Sequence, residues 1–366
     1  MYHKREGMGH VPLRITLRLN SFFNRKVRRG CARDARRTGD PIGLDKSLKY
    51  GRIPFPCLLL SLLFPSPSMM KVRQAMEKAD VLIEAMRWIR QHRNTITVIK
   101  IGGSLLEDEV AMMHLMLDTV FMESVGMQPV IVHGGGKPIS DAMQSAGIEP
   151  RFVQGRRYTD TASLEIVKRV LGREINQQLV EQLCMFEGQA EPLSLCFDSN
   201  VLFGEKLILT DEHGGAVDMG WVGTVTRVDA DAIRRLCSRG IIPVIPSVAL
   251  MDDGSGQALN VNADTAATAV ARELHAEKLV YVSEVNGLRT VPDDPNSMID
   301  SITAEQARQM LASGSIVGGM IPKIQACLET LERGVNKIHI INGRLRHALL
   351  LEIFTSMGVG TEITSP

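Results

Sequence analysis

Two apolar strands in this chain run straight into glycine turns, TITVIKIGG at 95–103 and PVIVHGGGKP at 129–138, with a helical stretch at 109–124 between them. Strand, helix and strand in that order predict a βαβ unit. Later apolar strands, IIPVIPSVAL, KLVYVSEV and NKIHIIN, alternate with helical stretches at 264–274, 304–311, 324–333 and 347–354. That alternation predicts an α/β fold with a mainly parallel, open sheet covered by helices. Between residues 193 and 226 the pattern breaks into short pieces rich in glycine (DEHGGAVDMGWVGTV), which predicts an antiparallel insertion beside the main sheet.

A glycine turn between strand and helix brings backbone N–H groups close to an anion, and the helix N-terminus adds a favourable dipole. One such turn is explained by sheet packing. Two of them at strand ends of one sheet point to a ligand, because ligands of open α/β sheets collect there. Neither turn is a P-loop or a dinucleotide fingerprint. Ile131 stands where the P-loop needs its first glycine, Pro138 replaces its Ser/Thr, and no G-x-G-x-x-G occurs.

Lys100 lies inside the first apolar strand, where a buried ammonium is costly unless it meets an anion. Lys323, in GGMIPKIQA after Gly318 and Gly319, reads by itself as a surface lysine. Asn260, Asn262 and Asp264 precede a helix of small residues, so one of the last two is expected to cap it.

The chain carries 42 Lys+Arg against 41 Asp+Glu, so no global field drives it onto nucleic acid or membrane. The balance is uneven along the chain. Residues 1–68 hold 14 basic and 4 acidic side chains, leaving 28 basic and 37 acidic for the remainder. The basic segment has no helical or strand period, and three readings stay open: a transit peptide, a nucleic-acid-binding arm, or an extension upstream of the tandem Met69 and Met70. Little ordered structure is expected before Ser68. The six cysteines show no C-x-x-C spacing, so no structural zinc site is signalled and a cytoplasmic location is expected, organellar if residues 1–68 are a transit peptide. The longest apolar run, CLLLSLLF at 57–64, is about half of the ~18 residues a membrane span needs.

From Val72, apolar residues recur at Met76, Ala79, Leu82, Ile83, Met86 and Ile89, one stripe along a helix ending near His92. Such a helix either packs on its own domain or docks on another subunit.

Five motifs in order, VIKIGG, HGGGKP, QGRRYTD, LNVNAD and GGMIPK, resemble the amino acid kinase family, and QGRRYTD with LNVNAD resembles its acetylglutamate kinase branch. The likeness runs from about Thr95 to Ile363. It implies a three-layer αβα sandwich with residues 94–256 as an N-lobe for the acyl substrate and 257–366 as a C-lobe for ATP, preceded by a basic extension at 1–68 and a helix at 69–93. It also implies roles. Lys100 and Lys323 would touch the transferring phosphoryl group from opposite lobes, with Asp264 holding both. Gly102, Gly103, Gly135 and Gly136 would donate backbone hydrogen bonds to phosphates or the transition state. Arg157 would clamp a substrate carboxylate, Asn260 would hold the substrate's polar backbone, and Arg156 would be solvated. ATP with Mg²⁺ is the implied cofactor pair, and no protein metal site is expected.

The helix KADVLIEAMRWIRQHR at 78–93 and the tail LLEIFTSMGVGTEI at 350–363 resemble those of family members that arginine inhibits and that form hexameric rings. Lys278, His339 and Glu352 are the effector contacts this implies, with Glu352 pairing the guanidinium. The implied partners are N-acetyl-L-glutamate, ATP, arginine and further copies of the chain, with no nucleic acid and no membrane. Two alternatives stay open at this point, a kinase of the same fold acting on carbamate, glutamate, aspartate or a nucleoside monophosphate, and a binding protein without turnover.

Overall fold

The computed structural model describes residues 67–210, 214–284, 286–291, 294, 297–316, 320–355 and 358–365. The expectations for residues 1–66, and the pair Gly318 and Gly319, lie outside the described residues.

The chain runs α1 (Pro67–His92), β1 (Ile96–Ile101), α2 (Glu109–Ser124), β2 (Gln128–His133), α3 (Gly136–Ser145), β3 (Phe152–Val153), β4 (Arg156–Arg157) and α4 (Thr161–Val167). A π-helix at Lys168–Ile175 leads into α5 (Asn176–Met185), followed by β5 (Ala190–Pro192), β6 (Leu202–Lys206), β7 (Leu209–Thr210), β8 (Ala216–Val217) and β9 (Val222–Val228). Then come α6 (Ala230–Cys237), β10 (Ile242–Pro246), β11 (Val248–Met251), β12 (Ala258–Val261), α7 (Ala263–Leu274) and β13 (Lys278–Ser283). The C-terminal part holds β14 (Ser301–Thr303), α8 (Ala304–Ala312), α9 (Met320–Glu332), β15 (Lys337–Asn342), α10 (Ala348–Phe354) and β16 (Thr361–Thr364).

Eight strands form the main sheet in the order β14-β16-β15-β13-β1-β2-β10-β5, parallel throughout except that β16 runs antiparallel to β15. The expected α/β class is therefore the observed one. Along β1, Val98 enters one apolar layer and Ile99 and Ile101 the other; along β2, Val130 and Val132 part from Ile131 in the same way. A sheet buried on both faces makes three layers. Each fully buried Val or Ile of this kind contributes roughly 1.5–3 kcal/mol.

The antiparallel insertion is present as β6 against β9 and β7 against β8. The structure corrects one expectation, since IIPVIPSVAL is two strands in two sheets. Pro246 has no N–H to extend the ladder of β10, and Ser247 turns the chain so that β11 joins β12, β9 and β6 in a small closed barrel. Helix α1 ends at His92 as its stripe predicts, but only its last turn packs on the core through Trp88 and Ile89. Met76, Leu82, Ile83 and Met86 are exposed.

Strand β1 is where the sheet order reverses: the chain leaves it toward β2 on one side and returns to β13 on the other. The carboxyl ends at such a point form a crevice.

Candidate active site

Ile101 pairs with His133 in register, so the two glycine turns leave β1 and β2 side by side. They touch. A Cβ at Gly103 would lie 2.6 Å from the Gly136 nitrogen, so nothing larger than glycine fits between the two turns. Behind the second turn the π-helix presses close, and a Cβ at Gly135 would lie 2.5 Å from Leu171 Cδ2 and 2.7 Å from Ile175 Cδ1. At Gly136 a Cβ would meet nothing within 4 Å, so packing does not demand glycine there. Gly102 continues the strand, its N–H donating to the Val282 carbonyl across to β13.

Lys100 Nζ lies 2.7 Å from Asp264 Oδ1. The lysine side chain is largely buried in the layer shared with α7, so the carboxylate supplies the anion its position requires. Asn262 caps α7, its Oδ1 accepting from the N–H groups of Asp264 and Thr265 at 2.9 and 3.0 Å. Because Asn262 does the capping, the Asp264 carboxylate is left for the lysine. Lys323, in the first turn of α9, shares a cavity of about 50 Å³ with Lys100 and Asp264. Its residue is exposed at the surface yet its pKa lies below the ordinary lysine value, because burial of the ammonium strips hydration and Lys100 repels it, against a partial offset from Asp264. Among the described residues the direct ion pair of Asp264 is with Lys100.

On the other side of this pair opens a cavity of about 230 Å³ lined by both glycine turns, Arg157, Asn260 and Asp264. Arg157 is buried, and Nη2 donates to the Gly136 carbonyl at 2.8 Å and to Ser140 Oγ at 2.7 Å. The guanidinium carbon sits 4.8 Å from the Phe152 ring centroid. Burial lowers its pKa, but arginine keeps its charge in proteins. Among the described residues no carboxylate lies within ion-pair distance of Arg157, an arrangement that suits an incoming carboxylate. Asn260 Nδ2 donates to Thr159 Oγ1 at 2.9 Å, which orients the amide at the wall of the same cavity. Arg156 is half-buried and lines it too.

Sequence reading missed Ser140 and Phe152, which hold Arg157 from positions just outside the motifs, Ser140 two residues past HGGGKP on α3 and Phe152 across the β3–β4 hairpin. Lys137, inside the HGGGK string, turns outward instead, binding Glu107 at 2.6 Å and Asp141 at 2.9 Å.

The three residues linked to an effector do come together. Lys278 Nζ lies 3.3 Å from His339 Nε2, and His339 Nδ1 lies 2.7 Å from Glu352 Oε1. Glu352 Oε2 accepts from the N–H groups of Val359 and Gly360 at 2.8 and 2.9 Å. All three are buried. Burial alone would raise the Glu352 carboxyl, but the hydrogen bonds from His339 and the two amides hold it below its ordinary value. Burial likewise lowers Lys278, with Lys337 adding repulsion. His92, in the last turn of α1, senses the same group: burial first, then the charges of Lys278, Lys337 and His339, push its imidazole down to about 4.

Among the described residues no three His, Cys, Asp or Glu converge as metal ligands, and no helix is long and apolar enough to cross a membrane.

Residues 95–342 match the amino acid kinase family. The acetylglutamate kinase of Symbiobacterium thermophilum is 42% identical over 291 residues, covering 80% of this chain and 99% of its own length. That of Methanosphaera stadtmanae is 42% identical over 290 residues, covering 78% and 96%. Among solved structures, N-acetylglutamate synthase from Neisseria gonorrhoeae, in complex with coenzyme A and N-acetyl-glutamate, superposes with a TM-score of 0.68 at 26% identity; the match covers 79% of this chain and spans 63% of that synthase. With a site of twin glycine turns around a lysine–aspartate pair and relatives matched over nearly their whole length, the chain belongs to the amino acid kinase family, in its acetylglutamate kinase branch.

Proposed function

We propose that this chain transfers the γ-phosphoryl group of ATP to the side-chain carboxylate of N-acetyl-L-glutamate, giving N-acetyl-L-glutamyl 5-phosphate and ADP. One observation carries the choice of acceptor: the buried Arg157 guanidinium, braced by Gly136 and Ser140 and without a carboxylate partner among the described residues, opens on the cavity that holds the Lys100–Asp264 pair. In this reading Arg157 clamps the α-carboxylate bidentately and Asn260 holds the acetamido end, which leaves the side-chain carboxylate facing the glycine turns.

A glutamate side chain titrates near ~4.3, so the acceptor is already ionised at pH 7 and no general base is needed. The oxygen–phosphorus bond forms as the bond to the bridging oxygen of ADP breaks. Charge spreads over the transferring oxygens, and positioned donors stabilise it: Lys100 and Lys323 from opposite sides, and the N–H groups of the two glycine turns. Asp264 keeps the Lys100 ammonium aimed without itself meeting the phosphates. Mg²⁺ would be held by the nucleotide's phosphates, since the nearby carboxylate, Asp264, is engaged by Lys100. Bound there, it would neutralise charge on the β- and γ-oxygens. Residues 94–256 then act as the acyl lobe and 257–366 as the nucleotide lobe.

The reading places the enzyme in arginine biosynthesis with arginine as feedback inhibitor, acting at Lys278, His339 and Glu352 beside the end of α1. Support comes from the convergence of these three side chains from three different elements, β13, β15 and α10. The exposed apolar residues Met76, Leu82, Ile83 and Met86 on α1 suit packing against another copy of the chain, in a hexamer.

The test is ADP release from ATP with N-acetylglutamate, glutamate, carbamate and UMP in parallel, with and without arginine. Turnover confined to N-acetylglutamate is expected. Activity on another acceptor alone overturns the roles of Arg157 and Asn260. Arginine sensitivity that survives Glu352→Gln overturns the effector site, and a Leu82→Glu chain whose mass in solution is unchanged overturns the α1 contact.

A further inference from the structure

The His133 imidazole and the Asn176 amide have no part in the reaction so far described, yet both are fully buried directly behind the second glycine turn. Asn176 opens α5 at the exit of the π-helix, whose wider turns re-aim the side chains that follow it. Its Nδ2 lies 3.0 Å from the Val244 carbonyl and 3.1 Å from His133 Nε2. A carbonyl only accepts, so the amide nitrogen and not its oxygen must face Val244. The same NH₂ group then donates its second hydrogen to His133 Nε2. That leaves Asn176 Oδ1 buried without a hydrogen-bond partner, so the amide gives up an acceptor bond to keep this orientation.

Nε2, as an acceptor, carries no proton. A neutral imidazole must then hold its proton on Nδ1, which lies 3.2 Å from the Gly134 carbonyl. Burial pushes the imidazole down to about 4, so the ring is neutral at pH 7 and holds a single proton. In a trans peptide the carbonyl of one residue and the N–H of the next point in opposite directions. With the Gly134 carbonyl drawn toward His133, the Gly135 N–H points away from the ring. Among the described residues no acceptor takes that N–H, and Gly135 lines the cavity that also holds Lys100 and Asp264.

We propose that His133 and Asn176 are positioning residues that lock the peptide between Gly134 and Gly135, so that the Gly135 N–H is held ready for the transferring phosphoryl group. The inference rests on the kinase reading above and adds to it two residues that never touch substrate. Val244 sets the amide, the amide sets the tautomer, and the tautomer sets the peptide.

The tautomer is tested on the wild-type chain without reference to turnover, by ¹⁵N NMR of isotope-labelled protein, with the His133 ring signals assigned by through-bond correlation to the backbone of residue 133. A proton on Nδ1 and none on Nε2 is expected; the reverse overturns the proposal. Kinetics test the consequence. His133→Asn places an amide donor where Nδ1 stands, whereas His133→Gln reaches only toward the Nε2 position. His133→Gln is expected to lower kcat on the order of 10²-fold, the usual effect of losing one such donor, while KM for ATP stays within about threefold. His133→Asn is expected to recover at least about tenfold of that loss. Equal losses in the two variants, both shown folded by circular dichroism, overturn the proposal, as does a His133→Gln chain with full kcat. If the wild type turns over a different acceptor, the same two variants are compared on that acceptor, so an error in substrate and an error in positioning give different results. If neither variant folds, the NMR result decides.

Discussion

The cavity beside Arg157 and the cluster around Glu352 are both buried and both charged, yet they treat their polar atoms in opposite ways. At Glu352 both carboxylate oxygens are hydrogen-bonded, by His339 and by two backbone amides, and Lys278 closes the chain of contacts. Among the described residues the Arg157 guanidinium touches a carbonyl and a hydroxyl but no carboxylate, and the neighbouring Gly135 N–H has no acceptor. A buried charge without its counter-ion is expensive, so a fold keeps one where a ligand completes it. The finished cluster contributes to stability in the empty protein. The unfinished cavity contributes to binding.

The difference can be broken most sharply at Lys100. Lys100→Ala is expected to lower kcat on the order of 10³-fold, measured by ADP release, with the circular dichroism spectrum unchanged. A smaller effect would place the chemistry elsewhere. Next in size is Arg157→Lys, which keeps the charge but loses the planar fork. KM for N-acetylglutamate is expected to rise on the order of 10²-fold while kcat stays within about threefold. A fall in kcat with constant KM would mean that the arginine serves the transition state and not the ground state.

Glu352→Gln moves the comparison to stability. Losing a charged acceptor for His339 and two amides should lower the unfolding free energy by roughly 2 kcal/mol at pH 7, read from urea denaturation. The pH dependence has a definite sign. The folded-state pKa of Glu352 is depressed, so its stabilisation is fully present above the unfolded value near ~4.3 and is lost as pH falls through the lower folded value. The gap between wild type and variant should therefore be full at pH 7 and close below about pH 4. The smallest effect is expected at Lys137, whose partners Glu107 and Asp141 are exposed. Lys137→Ala should leave kcat within about threefold, which separates the outward lysine of HGGGK from the inward Lys100.

Much of this was legible in the sequence, for reasons visible at particular residues. Lys100 interrupts an apolar strand, and a lysine there calls for an anion; Asp264 is that anion, and its partner Asn262 is the helix cap. The βαβ periodicity of residues 96–133 set the centre of the sheet. Short edge strands such as β5 and β14 escaped because three residues carry too little period to read. IIPVIPSVAL read as one strand because apolar continuity hides a change of sheet, although Pro246 marks the place. The π-helix left no trace in composition, since its hydrogen-bond pattern and not its residue types sets it apart. Phe152 faces Arg157 across the β3–β4 hairpin, a register that strands of two residues carry too little period to announce, and Ser140 reaches Arg157 from α3 only through tertiary packing. The grouping of Lys278, His339 and Glu352 came from family likeness alone, for nothing local ties three residues of β13, β15 and α10 together.

The contact between the two glycine turns works as a gauge block. A Cβ at Gly103 would meet the backbone nitrogen of Gly136 at 2.6 Å, so the separation of the two rows of amide donors is set by atomic radii and not by side-chain torsions. Radii do not soften with temperature or shift when a distant rotamer changes. The spacing offered to a phosphoryl group should then stay constant while the surrounding layers breathe, and enzymes that differ in every outer layer can share one calibrated distance at the centre.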